Sequence, residues 1–427
     1  MTDLESTNYF TDQSLVGDPY PYFDELRARC PVLDQPHQGV LAVSGHAEAL
    51  AVYKDAAFSA CVSVAGPFSG LPFEPTGDDI SALIEQHRDQ IPMSEHIVTQ
   101  DAPQHTHTRG LLSRLLTPKR LSENEEFMWR LADEQLDRFV QRGSCEFLTE
   151  YARPFSGLVI VDLLGIPVED HHEFVAAFDG QVVGDVDDDS ISRAHNPLEL
   201  LNEKFCEYIT ERRREPREDV LTELSQAKYP DGSTPDIDAV VRLATFVFAA
   251  GQETTTKLLG AALQVLAERP DLADLLRADR TLIPAFLEET LRLESPVKSH
   301  FRLARTTTEV GDVKIAAGST VMLLPGASNR DDRKFQNPNE FQVNRPNVRE
   351  HIAFGRGSHS CPGAPLARAE GRISLNRILD RVTDIRADDE RHGPAGARHY
   401  SYEPTWQMRG LTELHLRFMA TADPRNG

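Results

Sequence analysis

Residues 236–268 read as one helix of roughly 30 residues, near 50 Å long at about 1.5 Å per residue. An element of that length crosses a whole domain, so the remaining chain has to be built around it. Thr234 is the expected N-cap and Pro235 the first helical position, with Asp236 and Asp238 near the positive dipole end and Pro270 closing the run. The apolar stretch 243–250 predicts burial. The centre then conflicts with the rest: Ala250-Gly251-Gln252-Glu253-Thr254-Thr255-Thr256. A glycine costs about 1 kcal/mol inside a helix. A threonine hydroxyl can capture a helical carbonyl and bend the ladder. Such conflicts are expected where function overrides stability; the plain alternative is a polar turn with a capping-prone threonine run.

A second segment, Phe354-Gly355-Arg356-Gly357-Ser358-His359-Ser360-Cys361-Pro362-Gly363, places one cysteine among three glycines and an aromatic ring. Gly355 and Gly357 allow the positive φ angles of a tight loop around the sulfur. The following Leu366-Ala367-Arg368-Ala369-Glu370 reads as a helix, so Cys361 lies near its start, where the dipole favours thiolate below the free pKa of about 8.5. A buried structural cysteine beside a glycine turn is the alternative. The loop resembles the haem-binding segment of the cytochrome P-450 family, for which thiolate ligation of the iron is a general property.

That resemblance implies haem b (iron protoporphyrin IX), one per chain, with Cys361 as axial ligand and Phe354, Gly355 and Gly363 around it. The helix centre is similar to the family's oxygen-activation motif, with Glu253 and Thr254 as an acid–alcohol pair and Gly251 leaving space for dioxygen. Dioxygen must receive two electrons and two protons before its O–O bond splits. Thr254 is expected to hydrogen-bond the oxygen and Glu253 to relay protons by rotating. Glu289-Thr290-Leu291-Arg292 fits the family's ExxR pattern; Arg345 in Phe341-Gln342-Val343-Asn344-Arg345-Pro346 is the expected third member of a buried structural network. His105 and Arg109, Arg302 and His351 are the implied partners of the haem propionates. Pro362, with no N–H to donate, should leave the thiolate more electron-rich, although proline also suits a helix start.

The resemblance runs from Asp18-Pro19-Tyr20-Pro21-Tyr22-Phe23 through Ala327-Ser328-Asn329-Arg330-Asp331 to Arg409-Gly410-Leu411. It implies a mainly α fold with a small β region: one triangular domain over 1–427, with loose ends at 1–10 and 420–427. Substrate contacts are expected from Phe68, Leu71 and Phe73, Val247 and Phe248, Val297 and Phe301, and Trp406, which describe an apolar guest. Lys298 and His300 are alternative anchors for a carboxylate. The run Asp185-Val186-Asp187-Asp188-Asp189 lacks the glycine and glutamate of a calcium loop and reads as an exposed acidic loop.

Composition narrows the class. A net charge of −22 argues against general nucleic-acid binding. The five cysteines form no CxxC pair, which argues against a zinc ribbon, an iron–sulfur cluster or a disulfide scaffold. No apolar run approaches the roughly 20 residues of a membrane span, and no targeting region is apparent, so a cytoplasmic, bacterial-type protein without a membrane anchor is expected. No flavin- or ferredoxin-like segment accompanies the motifs. A monooxygenase would then draw electrons from NAD(P)H through a separate ferredoxin and ferredoxin reductase. Two basic clusters, Arg109, Arg114, Lys119 and Arg120, and Arg356, Arg368, Arg372, Arg377 and Arg381, are candidates for steering that acidic partner. A peroxide-driven oxygenase and a non-catalytic haem sensor are the competing readings.

Overall fold

A computed structural model describes residues 4–35, 37–176 and 197–421. The acidic run at 185–189 lies outside the described residues. Among the described residues seven helices have eleven or more residues: α1 (Gln104–Leu115), α2 (Pro118–Asp137), α3 (Arg153–Leu164), α4 (Pro197–Arg214), α5 (Ile237–Glu268), α6 (Ile283–Leu293) and α7 (Ala364–Arg381). Three small sheets complete a mainly α fold. The largest runs in the order Val32–Asp34, Val40–Val43, Thr320–Leu323, His300–Ala304, Phe58–Ser59, all antiparallel except the second and third. A three-stranded sheet joins Ser144–Glu146, His415–Ala420 and Val382–Ala387; Thr308–Val310 and Val313–Ile315 form a hairpin.

Helix α5 is the axis of the packing. Its 32 residues are continuous, and residues 255–263 are all buried, so neighbours surround it on every side. Helices α3, α4, α6 and α7 all pack on it. The cap is Asp236, whose carboxylate accepts the Ala239 amide at 2.6 Å. Thr234 lies two residues outside, where its hydroxyl takes the Lys228 ammonium instead, and Pro235 precedes the cap. The aspartate wins because its side chain reaches the third helical amide, which a residue two positions earlier cannot do.

The glycine–threonine centre does not break the helix. Thr254 donates to the Ala250 carbonyl at 2.9 Å and Thr256 to the Gln252 carbonyl at 3.0 Å, the back-bonding expected of these side chains. Ser156 of α3 donates to the same Gln252 carbonyl at 3.0 Å. Gly251 also packs closely on α3: a Cβ there would fall 2.5 Å from the Ile160 side chain.

The expected loose N-terminus is packed from residue 4 onward. Leu4, Tyr9 and Phe10 are buried, and the Tyr9 hydroxyl donates to the Trp406 carbonyl at 2.8 Å. Two adjacent aromatic rings bury enough apolar surface to hold a chain end. At the other end, Ala420 still belongs to a strand.

Candidate haem-thiolate site

The Cys361 loop is closed by its own backbone. The Cys361 amide donates to the Phe354 carbonyl at 2.8 Å and the Gly355 amide to the Ile352 carbonyl at 2.9 Å. Gly355 and Gly357 have φ of +64° and +72°, as the tight turn requires. Gly357 is doubly constrained, since a Cβ would fall 2.2 Å from the Tyr53 carbonyl oxygen. Gly363 has φ −80° and would tolerate a Cβ 3.8 Å from the sulfur, so neither requirement applies there. Phe354 lies under the Arg368 guanidinium, 4.7 Å from the ring centre.

Cys361 is exposed, yet surrounding protein desolvates its thiol and pushes the pKa up; a residue on a concave wall satisfies both statements. The amides of Gly363 and Ala364 and the charge of Arg109 pull the other way without prevailing. Cys361 stands two residues, Pro362 and Gly363, before α7, and the amides at the helix start favour its thiolate as expected, but burial outweighs them. Pro362 lies before the Gly363 cap, and Pro365 occupies the helix-start position, so helix initiation does not explain Pro362. A positive metal centre is what would favour the thiolate.

Cationic groups converge beside the loop. Arg302 is 7 % exposed, and among the described residues its guanidinium's hydrogen bond is to the neighbouring Phe301 carbonyl; burial lowers its pKa. Arg109 donates to the Ser360 carbonyl at 2.7 Å. His105 stacks on His359 with ring centres 4.0 Å apart, and its Nε2 is buried without a partner. Burial, reinforced by Arg302, His105 and Arg109, pushes His359 down to about 2. None of these four makes an ion pair with a carboxylate among the described residues. Two arginines without a carboxylate partner, two imidazoles that burial keeps neutral, and an orphaned ring nitrogen beside an accessible thiol fit a ligand carrying two carboxylates and a thiolate-binding metal. The residues present therefore fit haem.

His351 is a correction. Both its ring nitrogens are engaged, Nε2 with Glu288 at 2.9 Å and Nδ1 with the Ala353 amide at 3.2 Å. It sits in the packing behind the loop, and His359 takes its place among the side chains converging beside the thiol. The sequence carried a signal for His359, which stands inside the glycine loop two residues before Cys361.

Behind the loop, Glu289 receives Arg292 at 2.8 and 2.9 Å and Arg345 at 3.0 and 3.1 Å, with Glu289 and Arg292 fully buried. The carbonyls of Asn329 and Pro338 take further Arg292 donors, and those of Asn337 and Glu340 further Arg345 donors. Glu288 beside them binds Arg368 and His351; burial would raise its carboxyl, but these donors bring it from 4.5 to about 2.

On α5, Thr254 has its hydroxyl hydrogen committed to Ala250, which leaves its lone pairs as acceptors. Glu253 accepts the Lys257 ammonium at 2.9 Å. Ala250 is exposed although it lies midway along a helix that is otherwise largely buried. The apolar candidates divide. Phe301 is fully buried and Trp406 nearly so, in a cluster with Phe10 and the half-buried Phe68, ring centres 5.2–5.6 Å apart along its closest edges. Phe248 packs on Phe174 in the core. Phe248, Phe301 and Trp406 are thus supporting walls, while Val247, Val297, Leu71 and Phe73 retain accessible surface. The basic clusters are also largely answered: Arg120 pairs with Glu223, Arg372 with Glu125, Arg377 with Asp133 and Arg381 with Asp137. Among the described residues no helix is long and apolar enough to cross a membrane.

The profile of the Cytochrome P450 family matches residues 186–383. The chain is 34% identical over 399 residues to Cytochrome P450 144 of Mycobacterium tuberculosis, covering 91% of this chain and 88% of that protein. Its fold superposes on the substrate-free form of Mycobacterium marinum cytochrome P450 CYP150A6 with a TM-score of 0.92 at 58% identity, covering 98% of this chain and all of that one. CYP109E1 from Bacillus megaterium, solved in complex with corticosterone, matches with a TM-score of 0.77 at 25% identity, over 94% of this chain and 98% of that one. The exposed cysteine loop, the uncompensated cations and these likenesses agree: the chain belongs to the cytochrome P450 family and is an oxidoreductase of the monooxygenase type.

Proposed function

We propose that the chain holds haem b through Cys361 and inserts one oxygen atom of dioxygen into an apolar organic molecule. The observation that carries this reading is the pairing of an accessible thiol with two arginines that have no carboxylate partner among the described residues and two imidazoles stacked beside them. When bound, the haem supplies the redox chemistry that splits dioxygen. Arg302, Arg109, His105 and His359 are the groups that would orient it through its propionates. The amides of Gly363 and Ala364 hold the sulfur, while Pro362 withholds a third.

Glu253 and Thr254 move protons in this reading. Thr254 presents acceptor lone pairs, and Glu253, 23 % exposed at its side chain, reaches both the buried helix face and solvent. A peroxide-driven enzyme has no need of that pair. Electrons come from NAD(P)H through a separate ferredoxin and its reductase; Arg356 donates to the backbone carbonyls of Arg349 and His351 and makes no ion pair among the described residues, so its charge can attract an acidic partner. Val247, Val297, Leu71 and Phe73 favour an apolar guest, and a steroid in a 25% identical relative is consistent with one of that size.

The decisive experiment is the carbon monoxide difference spectrum of the reduced, haem-loaded protein. A thiolate-type band that disappears in Cys361→Ser is expected. The same spectrum in wild type and variant would overturn the assignment. Low-to-high-spin shifts on adding steroids, fatty acids and small aromatics should then rank the substrate classes.

A further inference from the structure

Lys257 is a buried cation shared by two carboxylates. Its ammonium lies 2.9 Å from Glu253, one turn back on α5, and 2.6 Å from Glu403 in the C-terminal segment. The lysine side chain is 3 % exposed, Glu403 13 % and Glu253 23 %. The stem is cradled by Gly410, where a Cβ would fall 2.5 Å from Cγ, 3.0 Å from Cδ and 3.1 Å from Cε. Gly410 is itself tied to the same acid, because the Glu403 amide donates to the Gly410 carbonyl at 3.0 Å. The C-terminal segment therefore supplies both the seat of the lysine and its second counter-ion.

Two negative charges on one positive charge is one more than neutrality requires. A simple structural pair would need only one acid, because a buried ammonium is costly when alone and satisfied when paired once. The second acid changes what the first can do. Were Glu253 the only partner, its departure would strand a buried charge. With Glu403 in place, Glu253 can turn toward Thr254 while Lys257 stays paired. The more exposed acid is the one beside Thr254, and the less exposed one belongs to the fixed segment. Burial pushes the Glu403 carboxyl above its ordinary range and the Glu253 charge adds to this, while Lys257 and, less strongly, Arg153 favour its ionised form.

We propose that Lys257 and Glu403 are positioning residues: a fixed ion pair that holds Glu253 in reserve and releases it for proton delivery without leaving a buried charge unpaired. This rests on the reading of Glu253 as proton carrier given above. It assigns no chemistry to Lys257 or Glu403 themselves. Protons enter Glu253 from water and leave at the Thr254 hydroxyl, and the pair only sets how freely Glu253 moves.

The test uses the haem-loaded protein with a surrogate ferredoxin and reductase. It measures the fraction of NADPH consumed that appears as hydrogen peroxide, in water and in deuterium oxide. In Glu403→Gln, Lys257 keeps Glu253 as its only anion. Proton delivery should slow, the peroxide fraction should rise at least about twofold, and the solvent isotope effect should grow. Removing the ammonium in the double variant Lys257→Met/Glu403→Gln should bring both values back toward wild type. A purely structural role predicts the reverse, with the double variant as impaired as the single or worse, and that result would overturn the proposal.

Glu253→Gln separates the two readings. A peroxide fraction unchanged by Glu253→Gln removes Glu253 as carrier. A Glu253→Gln effect with Glu403→Gln adding a full further increase leaves the carrier intact and sinks the positioning role. Urea unfolding gives a second readout that does not depend on turnover: coupling of Lys257 to Glu403 should exceed its coupling to Glu253. The opposite order would contradict a fixed and a mobile partner. Should Glu403→Gln fail to fold, Glu403→Asp should shift the peroxide fraction in the same direction by less, and no shift in a folded Glu403→Asp protein would count against the proposal.

Discussion

Two groups of buried charge sit on either side of the Cys361 loop and are treated in opposite ways. Behind it, Glu289, Arg292 and Arg345 satisfy one another and the surrounding carbonyls. Beside it, Arg302, Arg109, His105 and His359 are brought together with no carboxylate among them. The completed group is scaffold, because nothing is left for a ligand to satisfy. The incomplete group suits a ligand, because its arginines hold charge that no carboxylate among the described residues pairs with. Polar burial alone does not distinguish the two; the state of its pairing does.

The contrast can be broken most severely at Glu289. Glu289→Gln leaves two buried guanidinium groups sharing a neutral amide, and should destabilise the protein by about 3–5 kcal/mol in urea or guanidinium unfolding. Glu288 tests the same side with acid. Its folded pKa of about 2 lies below the ordinary 4.5, so its contribution is complete above pH 4.5 and is lost as pH falls toward 2. That contribution is on the order of 3 kcal/mol, and Glu288→Gln should flatten the acid limb of a stability–pH curve. A curve of unchanged slope would show that His351 and Arg368 do not hold the acid.

On the unpaired side the expectation reverses. Arg302→Leu should leave the haem-free chain equally or more stable, while loosening haem by about tenfold, the size of one charge-assisted hydrogen bond. Competition for haem by an excess of apomyoglobin reads the second quantity and thermal unfolding the first. Loss of stability without loss of haem affinity would place Arg302 with the scaffold. The smallest effect is at Pro362. Pro362→Leu restores an N–H near the sulfur, and should raise the reduction potential in a redox titration; an unchanged or lower value would show that this amide does not reach Cys361.

Much of this contrast was legible in the sequence, for physical reasons that differ by residue. The ExxR spacing places Glu289 and Arg292 on one helix face, and a local rule of that kind survives folding. The positive φ angles of Gly355 and Gly357 follow from residue type. The contact of Gly251 with Ile160, more than ninety residues earlier, is one that no local pattern encodes. His351 and His359 are equally plausible by composition, and only packing reveals that Glu288 has already claimed the first. Phe301 and Trp406 carry the same lesson in apolar form. Sequence marks them as large and hydrophobic, while Phe10 decides that they face the core.

The hydrogen bond between Tyr9 and Trp406 spans 397 positions of the chain. During synthesis the first aromatic residues leave the ribosome long before the indole that completes their cluster. At about 5–20 residues per second, the interval is roughly 20–80 s. Through that time Tyr9 and Phe10 wait for their partner, so an early-made segment is secured by one made much later, and this side of the site can close only once Trp406 has emerged.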